Sequence, residues 1–160
     1  MIPTDCVLDF KGGSFRNGTL KLDNTTIKSK HVAFYEINII GIVFNSIIES
    51  GWFNFTGEYE NDTPIFLNLI NLPKHIHFSS GTYAVELSEN IMTVGCNLIG
   101  IGGNTIRPVL KIKNSDQDSR FLLGLSYNCG IQNMYLSCYH DNRVLDILRS
   151  DVYFGSTGTG

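Results

Sequence analysis

Short runs of β-forming residues, each closed off by glycine or asparagine, constrain this chain more than any other feature. Val7-Leu8-Asp9-Phe10 reads as a first strand, and Lys11-Gly12-Gly13 turns the chain after it. Thr19 to Leu22 alternates as a strand does, Asp23-Asn24 reads as a turn, and Thr25 to Lys28 follows as another strand. Ile37 to Ile40, Ile42 to Phe44 and Ile47 to Glu49 continue the pattern up to Ser50-Gly51-Trp52. Runs this short between such tight turns suit the faces of a coil better than the long arms of a hairpin meander.

One segment has a different period. After Asp62-Thr63-Pro64, the apolar residues Ile65, Phe66, Leu69, Ile70 and Leu72 recur at helical spacing. Asp62 or Thr63 is expected to cap the first turn, with Pro64 at the first helical position and Pro73 as the stop. The expected product is one amphipathic helix of about ten residues, near the usual helix length. Its apolar face is expected to close the open end of a β stack, where bare strand edges invite aggregation.

Beyond the helix the strand rhythm resumes at Ile76 to Phe78, Tyr83 to Leu87, Ile91 to Val94, Asn97 to Ile99 and Val109 to Ile112. Further runs are Phe121 to Leu123, Ile131 to Leu136, Val144 to Leu148 and Val152 to Phe154. Cys96-Asn97-Leu98-Ile99 is echoed by Cys129-Gly130-Ile131-Gln132, and Val109 to Ile112 by Val144 to Ile147. Echoes at similar offsets are expected when successive coils set equivalent residues above one another. Asn114 to Ser119 is polar throughout and reads as a loop at one corner.

With 160 residues the chain is a natural size for one domain. A hydrophobic content of 42% against 17% charged residues places it among folded proteins. The net charge of −3, with Lys and Arg scattered, gives no footprint for nucleic acid. No charged and apolar leader precedes Ile2-Pro3-Thr4-Asp5, so no signal peptide is expected. No run of 18 apolar residues is present, so no membrane insertion is expected. Cys6, Cys96, Cys129 and Cys138 lack the spacing of a zinc or redox motif. Cys96 and Cys129 read as buried apolar fillers, with a disulfide between neighbouring coils as the alternative.

Val7 to Leu20, running on to Asn24-Thr25-Thr26-Ile27, resembles the "GGSF-x-NGT" and "NT-x-I" pattern of pectate-lyase-superfamily proteins from gut Bacteroidales and their phages. Ile48-Glu49-Ser50-Gly51-Trp52 is similar to the strand that follows it, and Asp62-Thr63 with its helix to a "DDT-x-A" helix. Ile76 to Tyr83 resembles "V-x-F-P-x-G-T-Y", Leu98 to Gly102 an "L-x-G-x-G" turn, and Ile131 to Leu136 an "I-x-N-L-x-I" strand. Two departures stand out: Trp52 to Asn61 is shortened and lacks the usual glycine-aspartate turn, and Ser79-Ser80 replaces a proline-containing pair. The resemblance implies an all-β fold, a right-handed parallel β-helix of the pectin-lyase-like kind with one short capping helix. The expected segments are N-terminal coils over 1–58, a turn and capping helix over 59–75, and the first coils of the main helix over 76–160, open at its far end.

The family's chemistry uses carboxylates clustered outside one sheet, either as a hydrolytic pair or as ligands of calcium. Asp116, Asp118, Asp141, Asp146 and Asp151 are the available carboxylates, and they read first as ordinary turn and outward-facing residues. The resemblance places catalytic residues on later coils, so no catalytic residue, cofactor or metal is assigned. His75 and His77 share one face of a strand but form one ligand pair only, with no Cys or carboxylate nearby in sequence. Gly100-Ile101-Gly102-Gly103 lacks the Lys-Ser/Thr of a phosphate loop. Asn17, Asn24, Asn54 and Asn61 head N-x-S/T triplets that read as turn asparagines. Trp52 reads as core at the junction with the helix.

The candidate carbohydrate-binding residues are Tyr139, His140, Asp141 and Arg143. A ring with fixed polar neighbours can stack on a sugar and bond its hydroxyls, although a polar corner turn has the same make-up. The resulting expectation is a virion protein: the N-terminal β-helical part of a phage tail spike or fibre that attaches to host surface polysaccharide. Its expected partners are two further copies in a homotrimer and other virion proteins. Gly155 to Gly160 reads as linker. The alternative is a truncated polysaccharide lyase or glycoside hydrolase, secreted or periplasmic in a gut bacterium.

Overall fold

A computed structural model describes residues 2–87, 91–93, 95–102, 106–114, 123–125, 130–140 and 152–154. The chain opens with β1 (Val7–Phe10), β2 (Phe15–Ser29) and β3 (Phe34–Val43), which form a parallel sheet in that order. Val7 lies opposite Thr26, Phe15 opposite Phe34, and Phe34 bridges in parallel to Phe53. These returns each take 19 residues, the separation that also joins Thr4 to Asp23. The Phe10 and Phe34 rings meet edge-on with centroids 5.2 Å apart, and the Phe34 and Phe53 rings are also 5.2 Å apart. Phe10, Phe34 and Phe53 thus line up against one another in the core, and aromatic pairs at this spacing add to the burial of each ring.

The two strands expected on either side of Asp23-Asn24 are one long strand, β2. Asn17 and Asn24 take left-handed backbone angles, with φ of 54° and 50°, so they bend the strand without ending it. The ladder to β3 shifts register between Leu22 and Thr25 and then carries on. Where β3 ends, Asn45 extends it with a side chain: its Oδ1 accepts from the Ile27 N–H at 2.7 Å and its Nδ2 donates to the Ile27 carbonyl at 2.9 Å. Ile37 to Ile40 and Ile42 to Val43 are likewise one strand, bent at Gly41. There φ is +94°, and a Cβ would fall against the Leu22 carbonyl.

After β4 (Ile47–Glu49) comes a single 3₁₀ turn, Ser50–Trp52. Trp52 is buried as expected, and its indole N–H donates to the Ser29 carbonyl at 3.1 Å. The helix α1 (Tyr59–Ile70) begins three residues before Asp62, so Pro64 lies inside it instead of at its first position. Asp62 does not cap the first turn. Its buried carboxylate accepts from the backbone N–H groups of Thr56 at 2.7 Å, Gly57 at 3.0 Å and Ala84 at 3.0 Å. Those three bonds, one from a later strand, hold the helix where it is.

The remaining strands are β5 (His75–Phe78), β6 (Thr82–Leu87), β7 (Ile91–Thr93), β8 (Asn97–Gly100), β9 (Val109–Asn114), β10 (Leu123–Leu125), β11 (Gly130–Gln132), β12 (Tyr135–His140) and β13 (Val152–Phe154). They gather into three parallel sheets of orders β4-β5-β8-β11, β6-β9-β12 and β7-β10-β13. Each successive pass of the chain adds one strand to each sheet. The expected echo of Asn97 by Gly130 holds as a register pair. Val109 pairs instead with Thr82 and Tyr135, and Val144 lies outside the described residues. Ile131 to Leu136 is two strands, because Asn133 turns the chain with φ of 55°.

The fold is therefore mostly β and parallel, with one α-helix among the described residues. Ile48, Ile76, Leu98 and Ile131 stand in register on the inner face of one sheet. Tyr83 pairs with Leu110 and Val85 with Ile112 on the inner face of the next. These rows, with Phe66, Leu69 and Ile70 from the helix, belong to one core running from Leu22 to Ile112.

The helix occupies the place of a strand, between β3 and β6. Asn68 accepts from the Ile39 N–H at 2.9 Å and donates to the Ile39 carbonyl at 2.9 Å, as a strand neighbour would. On its other side, Thr63 Oγ1 accepts from the Glu86 N–H at 2.8 Å, beside the Asp62 bond to Ala84. Backbone groups at both strand edges are thus met by helix side chains, which removes the cost of leaving them unpaired.

Candidate functional site

The outer face of the β6-β9-β12 sheet collects the polar and aromatic groups suited to a ligand. Strand alternation sends Tyr83, Val85 and Leu87 of β6 and Leu110 and Ile112 of β9 into the core. The intervening residues face outward and stand in register rows. Thr82, Val109 and Tyr135 form the first row, and Ala84, Lys111 and Ser137 the second. In the third row Glu86 and Lys113 lie in register with the backbone of Tyr139. The helix covers Ala84, whereas Lys111 and Ser137 are exposed.

Tyr135 is the anchor of this face. The residue is 53% exposed, and the Arg107 guanidinium carbon lies 5.7 Å from the ring centroid. That distance is within cation–π range. Arg107 Nε is buried and has no hydrogen-bond partner. Lys113 Nζ stands 3.4 Å from Glu86 Oε1 and 5.9 Å from the Tyr59 ring at the start of the helix. Arg107, Lys111 and Lys113 thus share this side of the sheet with Glu86, which pairs with Lys113, in a protein whose net charge is −3.

Backbone packing fixes the position of Tyr135. Its N–H donates to the Pro108 carbonyl at 2.9 Å, directly after the Asn133 corner. Asn133 Nδ2 donates to the Gly100 carbonyl at 2.8 Å, 33 residues earlier in the chain. A Cβ on Gly100 would run into the Asn133 backbone, so only glycine lets the two passes approach this closely.

Two of the expected carbohydrate-binding residues lie on β12. Tyr139 and His140 end β12, in register with Lys113 and Asn114. Asp141 and Arg143 lie outside the described residues, as do Asp116, Asp118, Asp146, Asp151 and Cys129. Cys96 is fully buried, in keeping with its reading as a filler. Asn61, expected in a turn, lies in the helix, where its Nδ2 donates to Thr56 Oγ1 at 3.3 Å.

His75 and His77 do share the outer face of β5, but a carboxylate stands beside them after all. Parallel register brings Glu49 opposite His77, with Oε1 3.4 Å from Nδ1, and His75 Nδ1 lies 3.1 Å from Asn97 Nδ2. No group of three metal-ligating side chains occurs among the described residues. No helix among them is long and apolar enough to cross a membrane.

No family model, curated protein or solved structure matches the chain. The geometry alone carries the site. Arg107 and Tyr135 are invisible as a pair in the sequence, because Tyr135 is 26 positions beyond its register partner Val109 whereas Gly130 is 33 beyond Asn97. Corners of unequal length hide one register behind the other.

Proposed function

We propose that the chain forms the opening stack of a right-handed parallel β-helix and acts as the N-terminal β-helical part of a phage tail spike or fibre that attaches to surface polysaccharide. Support for the helix comes from parallel returns that give every sheet one strand per pass. Right-handed winding follows from the strong preference of parallel crossovers for that hand. The exposed Tyr135 ring beside Arg107 is the observation that carries the attachment reading. An aromatic face with flanking donors on a rigid sheet is the arrangement that stacks on sugar C–H faces and orients hydroxyls.

The phage assignment rests on the resemblance of Gly12-Gly13-Ser14-Phe15 and Asn17-Gly18-Thr19 to the N-terminal pattern of such proteins. Assembly as a homotrimer, with other virion proteins as further partners, is supported by an outward apolar run at Ile40, Ile42 and Phe44. Light scattering of the purified chain, combined with binding of the labelled protein to encapsulated and capsule-free Bacteroidales cells, tests both parts. A three-chain mass and capsule-dependent binding are expected. A monomer that ignores the capsule would overturn the reading.

A further inference from the structure

We infer that Asn17 is a site of spontaneous deamidation in the folded chain, converted through a cyclic imide to aspartate and isoaspartate. This site is independent of whatever the chain attaches to. Asn17-Gly18 is the one Asn-Gly step in the sequence. Ring closure needs the backbone nitrogen of the following residue to reach the asparagine Cγ, and glycine, without a Cβ, obstructs that approach least. Gly18 is exposed, and open space surrounds the place where its Cβ would stand. Larger side chains follow elsewhere: Thr25 after Asn24, Ser46 after Asn45, Leu69 after Asn68 and Met134 after Asn133.

Those four asparagines are also held by their amides. Asn24 Nδ2 donates to Asp5 Oδ1, and Asn45 Nδ2 to the Ile27 carbonyl at 2.9 Å. Asn68 Nδ2 donates to the Ile39 carbonyl at 2.9 Å, and Asn133 Nδ2 to the Gly100 carbonyl at 2.8 Å. Asn17 is exposed, and its side-chain amide has no hydrogen-bond partner among the described residues. It can therefore turn Cγ toward the Gly18 nitrogen without breaking a bond. Its backbone departs from the regular ladder too, with φ of 54°, between the register pairs Arg16–Tyr35 and Gly18–Ile37.

The reaction balances with water as the only co-reactant. The Gly18 backbone nitrogen loses its proton and bonds to Asn17 Cγ, while the bond from Cγ to the side-chain nitrogen breaks. That nitrogen takes up a proton and leaves as ammonia. Water then adds to either carbonyl of the imide and opens the ring, which leaves aspartate or isoaspartate at position 17. Both products disturb the first passes of the chain. Register sets position 17 opposite Glu36, itself exposed with φ of 53°, so a new carboxylate stands opposite an existing one. Like charges directly opposite destabilise a strand pair. Isoaspartate also lengthens the backbone of β2 between Arg16 and Gly18.

Peptide mapping by mass spectrometry tests this on the whole chain, kept folded in mildly alkaline buffer and sampled over time. Lys-specific cleavage frees residues 12–21, in which Asn17 is the single asparagine. Exchange of amide for acid is expected there at least about tenfold faster than at Asn24, Asn45, Asn68 or Asn133, a barrier lower by about 1.4 kcal/mol or more. Aspartate and isoaspartate are both expected, and Asn17→Gln, which would need a larger ring, is expected to abolish conversion at this position. Asn17→Asp carries one product from the start and is expected to lower the urea midpoint, with Glu36→Gln in the same chain restoring it. Conversion at Asn17 no faster than at the hydrogen-bonded asparagines would overturn the inference. Conversion in urea but not in buffer would overturn it as well, by showing that the folded ladder protects the site. Aspartate without isoaspartate would contradict the imide route, and an unchanged midpoint in Asn17→Asp the part played by Glu36.

Discussion

Asp62 shows how much one side chain can decide. Its carboxylate is fully buried and accepts from three backbone N–H groups on two separate stretches of chain. Asp62→Ala would leave those donors unmet and is expected to lower stability by about 3–4 kcal/mol. Asp62→Asn turns an amide N–H₂ toward the same donors, and about half that loss is expected. The urea midpoint measures both. Gly41→Ala forces a side chain into a backbone with φ of +94° against the Leu22 carbonyl, for an expected loss of about 1–3 kcal/mol. Gly13→Ala, with open space around it and no positive φ, is expected to change little. The sequence marked Asp62 as the start of a helix, because Asp before Pro and an apolar run is a capping signature. Its long-range partner, the Ala84 N–H, lies 22 residues away, and nothing local announces it.

At the level of elements, the helix acts as a substitute strand. Asn68 meets both backbone groups of Ile39, so Asn68→Ala is expected to cost about 1–3 kcal/mol and to speed amide exchange at Ile39. Asn71→Ala, which removes one exposed bond to the Leu67 carbonyl, serves as the comparison and is expected to cost little. The phenylalanine cluster makes a second prediction. Phe34 is buried between Phe10 and Phe53, and Phe34→Ala is expected to cost about 3–5 kcal/mol by denaturant titration. The helix and most strands were legible in the sequence from their periods. Bends at Asn17 and Asn24 were not distinguishable from strand ends, since asparagine serves both. Phe15, Phe34 and Phe53, at 19-residue intervals, carried the period of the first passes in plain view.

At the scale of the molecule, the described residues share one core, threaded by a chain that keeps returning to pair in parallel with its previous pass. Its outward apolar positions have their own prediction. Ile42 and Phe44 are 59% and 63% exposed, so Phe44→Asp is expected to leave the urea midpoint nearly unchanged while disrupting assembly, as read by light scattering. Candidate site residues were only partly legible. Tyr139 and His140 fall on β12, the strand of Tyr135, but Arg107 and Tyr135 come together only through register, which depends on corner lengths that composition does not encode.

Parallel, in-register return is the claim on which everything above depends. Isotope-edited nuclear Overhauser spectra of the whole chain test it most directly. Parallel and antiparallel pairs place their amide and α protons differently. Amide-to-α cross peaks should link the Phe15 and Phe34 segments, and likewise Ile48 to Ile76 and Ile76 to Leu98. Strong α-to-α cross peaks between any of these segments, the mark of antiparallel hairpins, would contradict the account.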